Sequence, residues 1–116
     1  MRKTFRYLTI LVALLGLGGA LSAEIRVTTA DALKAAVTKT QPEYPPVAKQ
    51  MKITGQVDVE VTIDADGNVE NVRVLAGNSL LTGAVITAVK KWKFTPFTQD
   101  GAATKAIALL DFNFKF

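Results

Sequence analysis

The stretch Gly55-Gln56-Val57-Asp58-Val59-Glu60-Val61-Thr62-Ile63-Asp64-Ala65-Asp66-Gly67 decides the fold. Val57, Val59, Val61 and Ile63 fall on one side of an extended chain and Asp58, Glu60 and Thr62 on the other. A period of two with that segregation is a strand buried on one face and wet on the other. Asp64-Ala65-Asp66-Gly67 then supplies a turn, with glycine available for positive φ. Val69, Val72, Val74 and Leu75 rebuild a second strand whose alternation breaks near Asn71, so the pair reads as a hairpin that accommodates a bulge.

Toward the C-terminus, Gly77-Asn78-Ser79 interrupts the pattern, and Leu81, Val85, Ala88 and Trp92 recur at helical spacing. They predict a helix over residues 80–92 whose apolar stripe covers the sheet. Phe94-Thr95-Pro96-Phe97 breaks it, Gln99-Asp100-Gly101 turns the chain, and residues 104–116 form a last strand with Ala108, Leu110, Phe112, Phe114 and Phe116 on one face. The helix carries the chain across so that this third strand lies beside the first and antiparallel to it. The expected fold is therefore α+β: a three-stranded antiparallel sheet of order 2-1-3, two helices on one face, and a ββαβ core. The third strand is then an edge with a free row of N–H and C=O groups.

Toward the N-terminus, Pro42, Pro45 and Pro46 impose an extended lead-in, and Pro46 suits the first turn of a helix reaching about Lys52, with Gly55 closing the passage. Residues 24–40 read as a linker with a short helix: Ile25-Arg26-Val27 suits a brief extended piece, and Thr29 can cap a helix over residues 30–37 with Asp31 in its first turn. Residues 1–23 have the build of a secretory signal peptide: Arg2, Lys3 and Arg6, then an apolar run, then Gly18, Gly19, Ala20, Leu21, Ser22 and Ala23. Cleavage fits after Ala23 or after Ala20. The rival is a short signal anchor, since residues 7–23 would span roughly 26 Å as a helix against a hydrocarbon core of about 30 Å. Both solutions place the body in the periplasm, the second tethered to the inner membrane.

At 116 residues there is room for one modest core and one domain. The formal charge is +4, but three of the 14 basic residues lie in the leader, so residues 24–116 hold 11 basic against 10 acidic. That balance offers no basic stripe for nucleic acid. Cysteine and histidine are both absent, which removes disulfides, thiol nucleophiles, ordinary zinc sites and histidine acid/base chemistry. No catalytic centre, cofactor or metal is expected. Asp64, Asp66 and Asn68 imitate the opening of a calcium loop, yet Val69 stands where glycine is required and Leu75 where glutamate is. Ser79 has no base to activate it and suits a helix cap. Lys90, Lys91 and Lys93 suit a helix C-terminus, and Trp92 continues the core stripe.

Taken together, Gln41-Pro42-Glu43-Tyr44-Pro45, Ala48, Gly55-Gln56-Val57, Asp66-Gly67, Val72, the run Ala88-Val89-Lys90-Lys91-Trp92-Lys93-Phe94-Thr95-Pro96 and Phe112-Asn113-Phe114 resemble the C-terminal domain of TonB-family proteins. The resemblance covers residues 41–116. It implies a ββαβ core preceded by a helix, an envelope location in a Gram-negative-type cell, and recognition of the TonB-box strand of outer-membrane receptors. Two features depart from family members that transmit energy. Only about 18 residues separate leader and domain, reaching about 63 Å when fully extended. The leader also lacks the histidine through which such anchors engage ExbB and ExbD, so any motor of that type would act only indirectly.

The resemblance implies that Gln41, Pro42 and Tyr44 belong to a contact strip for the receptor peptide, where the residues alone read as a proline-stiffened entry. The open edge of the last strand adds Lys105, Ile107, Leu109, Asp111 and Asn113 as candidate peptide-binding residues. Gln41 offers an amide to an incoming backbone, while Tyr44 also suits a core plug. The partner class is an outer-membrane TonB-dependent receptor or another envelope protein. An alternative reading is a structural envelope module, either a homodimer joined through the same edge or a peptidoglycan-binding element.

Overall fold

The computed structural model describes residues 24–116. The signal peptide or anchor read in residues 1–23 lies outside the described residues. The strands are β1 (Ile25–Val27), β2 (Ala36–Thr38), β3 (Gly55–Ile63), β4 (Val69–Ala76), β5 (Lys93–Phe94), β6 (Phe97–Gln99), β7 (Ala102–Thr104) and β8 (Ala106–Phe114); the helices are α1 (Thr29–Ala35), α2 (Pro46–Gln50) and α3 (Ser79–Val89).

The hairpin of β3 and β4 forms where the alternation places it. Val57, Val59, Val61 and Ile63 are fully buried. The pairing shifts between Thr62↔Asn71 and Ile63↔Val69, which leaves Glu70 as the extra residue of a bulge; a second shift sets Leu75 apart. In the turn, the Asp64 carboxylate accepts the backbone N–H groups of Asp66 and Asn68, both at 2.9 Å. Those bonds make Asp64 the organiser of an Asx turn. Gly67 adopts φ +90°, and a Cβ there would lie 2.0 Å from the Phe94 carbonyl oxygen, so the turn tolerates only glycine. Phe94 N–H in return donates to the Gly67 carbonyl at 2.9 Å.

Helix α3 is capped by Asn78, whose side chain accepts from Leu80 N–H, rather than by Ser79. It buries Leu81, Val85, Ala88 and Val89. The helix ends at Val89 instead of Trp92, because the chain tightens to i→i+3 bonds from Lys91 to Ala88 and from Trp92 to Val89. Trp92 stays on the buried stripe at 4% exposure. Asp100 and Gly101, both with positive φ, close the small β6–β7 hairpin. The last strand therefore begins at Ala106 and not at Thr104.

The principal sheet has the order β1-β8-β3-β4. The neighbours β8, β3 and β4 reproduce the expected antiparallel trio, but the three-stranded description is corrected: a fourth strand, β1, pairs parallel with β8 in the register Ile25↔Ala106, Arg26↔Ile107, Val27↔Ala108. Three residues are too few to show a period, so the sequence gives no sign of where they pair. The short helix of the N-terminal stretch does form, capped by Thr28 instead of Thr29. It is not a loose appendage: Ala32 is fully buried in one cluster with Ala48 of α2, Leu81, Val85 and Val89 of α3, and the inner residues of β3 and β8. Three helices, not two, contribute to the core.

Candidate functional site

Strand β8 pairs with β3 from Ala106 to Phe114, so alternate residues turn their backbone groups outward, away from β3. The Lys105 carbonyl accepts from Ile25 N–H at 3.0 Å, and the Leu109 carbonyl accepts from the Thr29 hydroxyl at 2.6 Å. Both face outward, which sets the phase: Lys105, Ile107, Leu109, Asp111 and Asn113 are the outward residues. The first three are engaged by β1 and by Thr29. Beyond Leu109, no described strand pairs with the outer side of β8, so among the described residues the outward N–H and C=O groups of Asp111 and Asn113 have no partner strand.

This free stretch forms one wall of a groove of about 440 Å³. Asp111 to Lys115 line it on one side, Lys39, Thr40, Gln41 and Pro42 on the other, and Leu33, Tyr44 and Trp92 complete it. Of the eight residues expected at the site, the structure brings five together here: Gln41, Pro42, Tyr44, Asp111 and Asn113. Lys105, Ile107 and Leu109 lie outside it, because β1 and Thr29 take up that part of the edge. The expectation that the whole last strand forms a free edge is corrected accordingly: its first three residues, Ala106 to Ala108, lie between two strands.

Two aromatic anchors fix the strip opposite β8. The indole Nε1–H of Trp92 donates to the Thr40 carbonyl at 2.9 Å. Four residues on, the Tyr44 hydroxyl donates to the Ile53 carbonyl, and its ring stacks on Phe116 (centroids 5.1 Å apart) and meets Phe114 edge-on at 5.3 Å. Tyr44 is thus both a core plug and a groove residue. Between the two anchors Gln41 stays exposed. Trp92, Leu33, Lys39 and Thr29 were not singled out for the site by sequence reasoning. An indole that continues an apolar stripe gives no hint that its N–H holds a segment 52 residues away.

The turn at Asp64 offers nothing comparable. Its carboxylate is committed to backbone N–H groups, and Asn68 Oδ1 accepts from Lys93 Nζ at 2.8 Å. Among the described residues no group of three or more acidic side chains could hold a metal ion. No described helix is long and apolar enough to cross a membrane.

The family of the Gram-negative bacterial TonB protein C-terminal domain matches residues 40–116. The chain belongs to that family. Among curated relatives, Protein TonB of Xanthomonas campestris pv. campestris is 37% identical over 75 residues, which cover 63% of this chain and 34% of that protein. Protein TonB of Vibrio cholerae is 37% identical over 65 residues, covering 54% and 27% respectively. The chain thus spans only about a third and about a quarter of the length of these relatives. The solution NMR structure of the Pseudomonas aeruginosa TonB C-terminal domain superposes with a TM-score of 0.60 at 30% identity, covering 70% of this chain and 84% of that one. The mixed α+β architecture is that of a TonB C-terminal domain.

Proposed function

We propose that this TonB C-terminal domain is a non-catalytic module that captures an extended peptide segment of an outer-membrane receptor, or of another envelope protein, in TonB-dependent transport from the periplasmic side. The guest pairs with the free stretch of β8 and is held from the opposite wall by the amide of Gln41. The observation that carries this reading is the outward-facing backbone of Asp111 and Asn113, open beside an extended strip whose two ends are pinned by Trp92 and Tyr44. Addition of a strand to an exposed edge uses backbone bonds for affinity and side-chain pockets for choice of partner. Two outward residues offer about four bonds, each contributing about 0.5–1.5 kcal/mol net. With groove contacts added, a dissociation constant of about 1 µM to 1 mM is expected, which suits a contact that cycles.

The absence of histidine and cysteine supports binding over catalysis. Coupling to an ExbB/ExbD-type motor would be indirect, through a partner. The test is binding of synthetic ten-residue peptides copied from the N-terminal segments of outer-membrane receptors, followed by Trp92 fluorescence. Asn113→Pro deletes an outward N–H without touching the β3 ladder. It is expected to abolish capture while the fold survives, and unchanged capture would refute the edge model. Sedimentation that depends on protein concentration without peptide would instead favour a homodimer through the same edge, and retention on purified cell wall would favour a peptidoglycan-binding role.

A further inference from the structure

We infer that Ile25-Arg26-Val27 is a built-in guest strand that occupies part of the β8 edge and has to leave before a partner segment can use the whole of it. This rests on the proposal above that β8 is the receiving edge. Three observations carry it. The segment adds to β8 as a short peptide would, through backbone pairing on the outer side and a bond from Ile25 N–H to the Lys105 carbonyl at 3.0 Å. Its side-chain anchors are few: Val27 packs against the margin of the core while only half-buried, Ile25 is half-buried, and Arg26 reaches over β8 to Glu60 at 3.8 Å with 71% of its side chain exposed. An exposed ion pair of that length contributes little.

The third observation is where the occupation stops. Thr29 takes the Leu109 carbonyl, and the groove opens at Asp111. The outward residues of β8 therefore divide into an internally filled half, from Lys105 to Leu109, and a vacant half of Asp111 and Asn113. A guest confined to the vacant half makes about four backbone bonds; one that displaces β1 gains the outward groups of Ile107 and Leu109 as well. Because β1 is covalently attached, it acts at high local concentration in spite of its short length. An edge filled by β1 for about 90% of the time lowers the apparent affinity of a long guest about tenfold, since only the vacated fraction receives it.

Two variants made in the full-length sequence test this in opposite directions, with the same ten-residue receptor peptides as probes. Ile25→Pro removes the donor to Lys105 and should tighten binding about tenfold. Arg26→Cys with Ile107→Cys joins register partners in a chain that has no other cysteine, so an oxidised lock should weaken binding and reduction should restore it. The lock crosslinks positions that are already register partners and leaves the Ile25 donor in place, so it answers for the case in which Ile25→Pro loses its structure. Equal affinity in the parent, oxidised and reduced proteins would overturn the inference and leave the groove reading standing. Failure of every form to bind, with no response at Trp92, would overturn both.

Discussion

The indole N–H of Trp92 and the carbonyl of Thr40 meet at 2.9 Å, and this one bond joins the exit of α3 to the start of the proline-stiffened strip. It makes a core residue the anchor of one wall of the groove. Trp92→Phe keeps an aromatic ring beside Phe94 and Phe112 but leaves a part-buried carbonyl without its donor. The expected loss is about 1–2 kcal/mol in denaturant unfolding, with receptor-peptide binding weakened several-fold because residues 40–42 are no longer held. A change in stability without any change in binding would show that the strip is positioned by other contacts.

At the hairpin turn, Gly67→Ala should be among the most damaging single changes. Its φ of +90° is unfavourable for alanine, and the added Cβ would meet the Phe94 carbonyl. A loss of at least about 2 kcal/mol is expected, seen as a lower denaturant midpoint at unchanged slope. The reason is that turn and β5 approach so closely that either the hairpin or the β2–β5 pair must move.

Asp64 separates a structural role from a metal-binding one. Asp64→Ala deletes the acceptor of two backbone N–H groups and should cost about 1–2 kcal/mol. Millimolar calcium should leave the melting temperature of the parent protein unchanged. A rise in melting temperature with calcium that Asp64→Ala abolishes would overturn the Asx-turn account.

Tyr44→Phe probes the other end of the strip. It removes the hydroxyl donor to the Ile53 carbonyl while keeping the stack on Phe116 and the edge contact with Phe114. About 1 kcal/mol should be lost. Tyr44→Ala, which also removes both ring contacts, should cost about 3 kcal/mol or more by thermal unfolding.

The parts of this molecule that were legible in its sequence are those built on a period. Alternation over Val57, Val59, Val61 and Ile63 located β3 to the residue, and the spacing of Leu81, Val85 and Ala88 located the buried face of α3. Asp66-Gly67 marked its turn because only glycine meets the backbone demand there. What stayed hidden depends on contacts between segments far apart in the chain. β1 is three residues long, Thr29 reaches 80 positions to Leu109, and Trp92 reaches 52 to Thr40. None of these leaves a local pattern. The groove was therefore half readable as a place: Gln41, Pro42 and the far half of β8 do lie around one groove, whereas the filling of the near half of the edge by the chain itself left no sign in the sequence.

The most direct test of the binding account is an NMR titration of the isotope-labelled protein with a receptor-derived ten-residue peptide, following backbone amides residue by residue. The account predicts that Asp111 and Asn113 shift and gain protection from hydrogen exchange, together with Gln41, while amides along the other sheet edge, such as Glu70 and Arg73, stay unchanged. Saturable binding that shifts the β4 amides and leaves Asp111 and Asn113 where they were would contradict it.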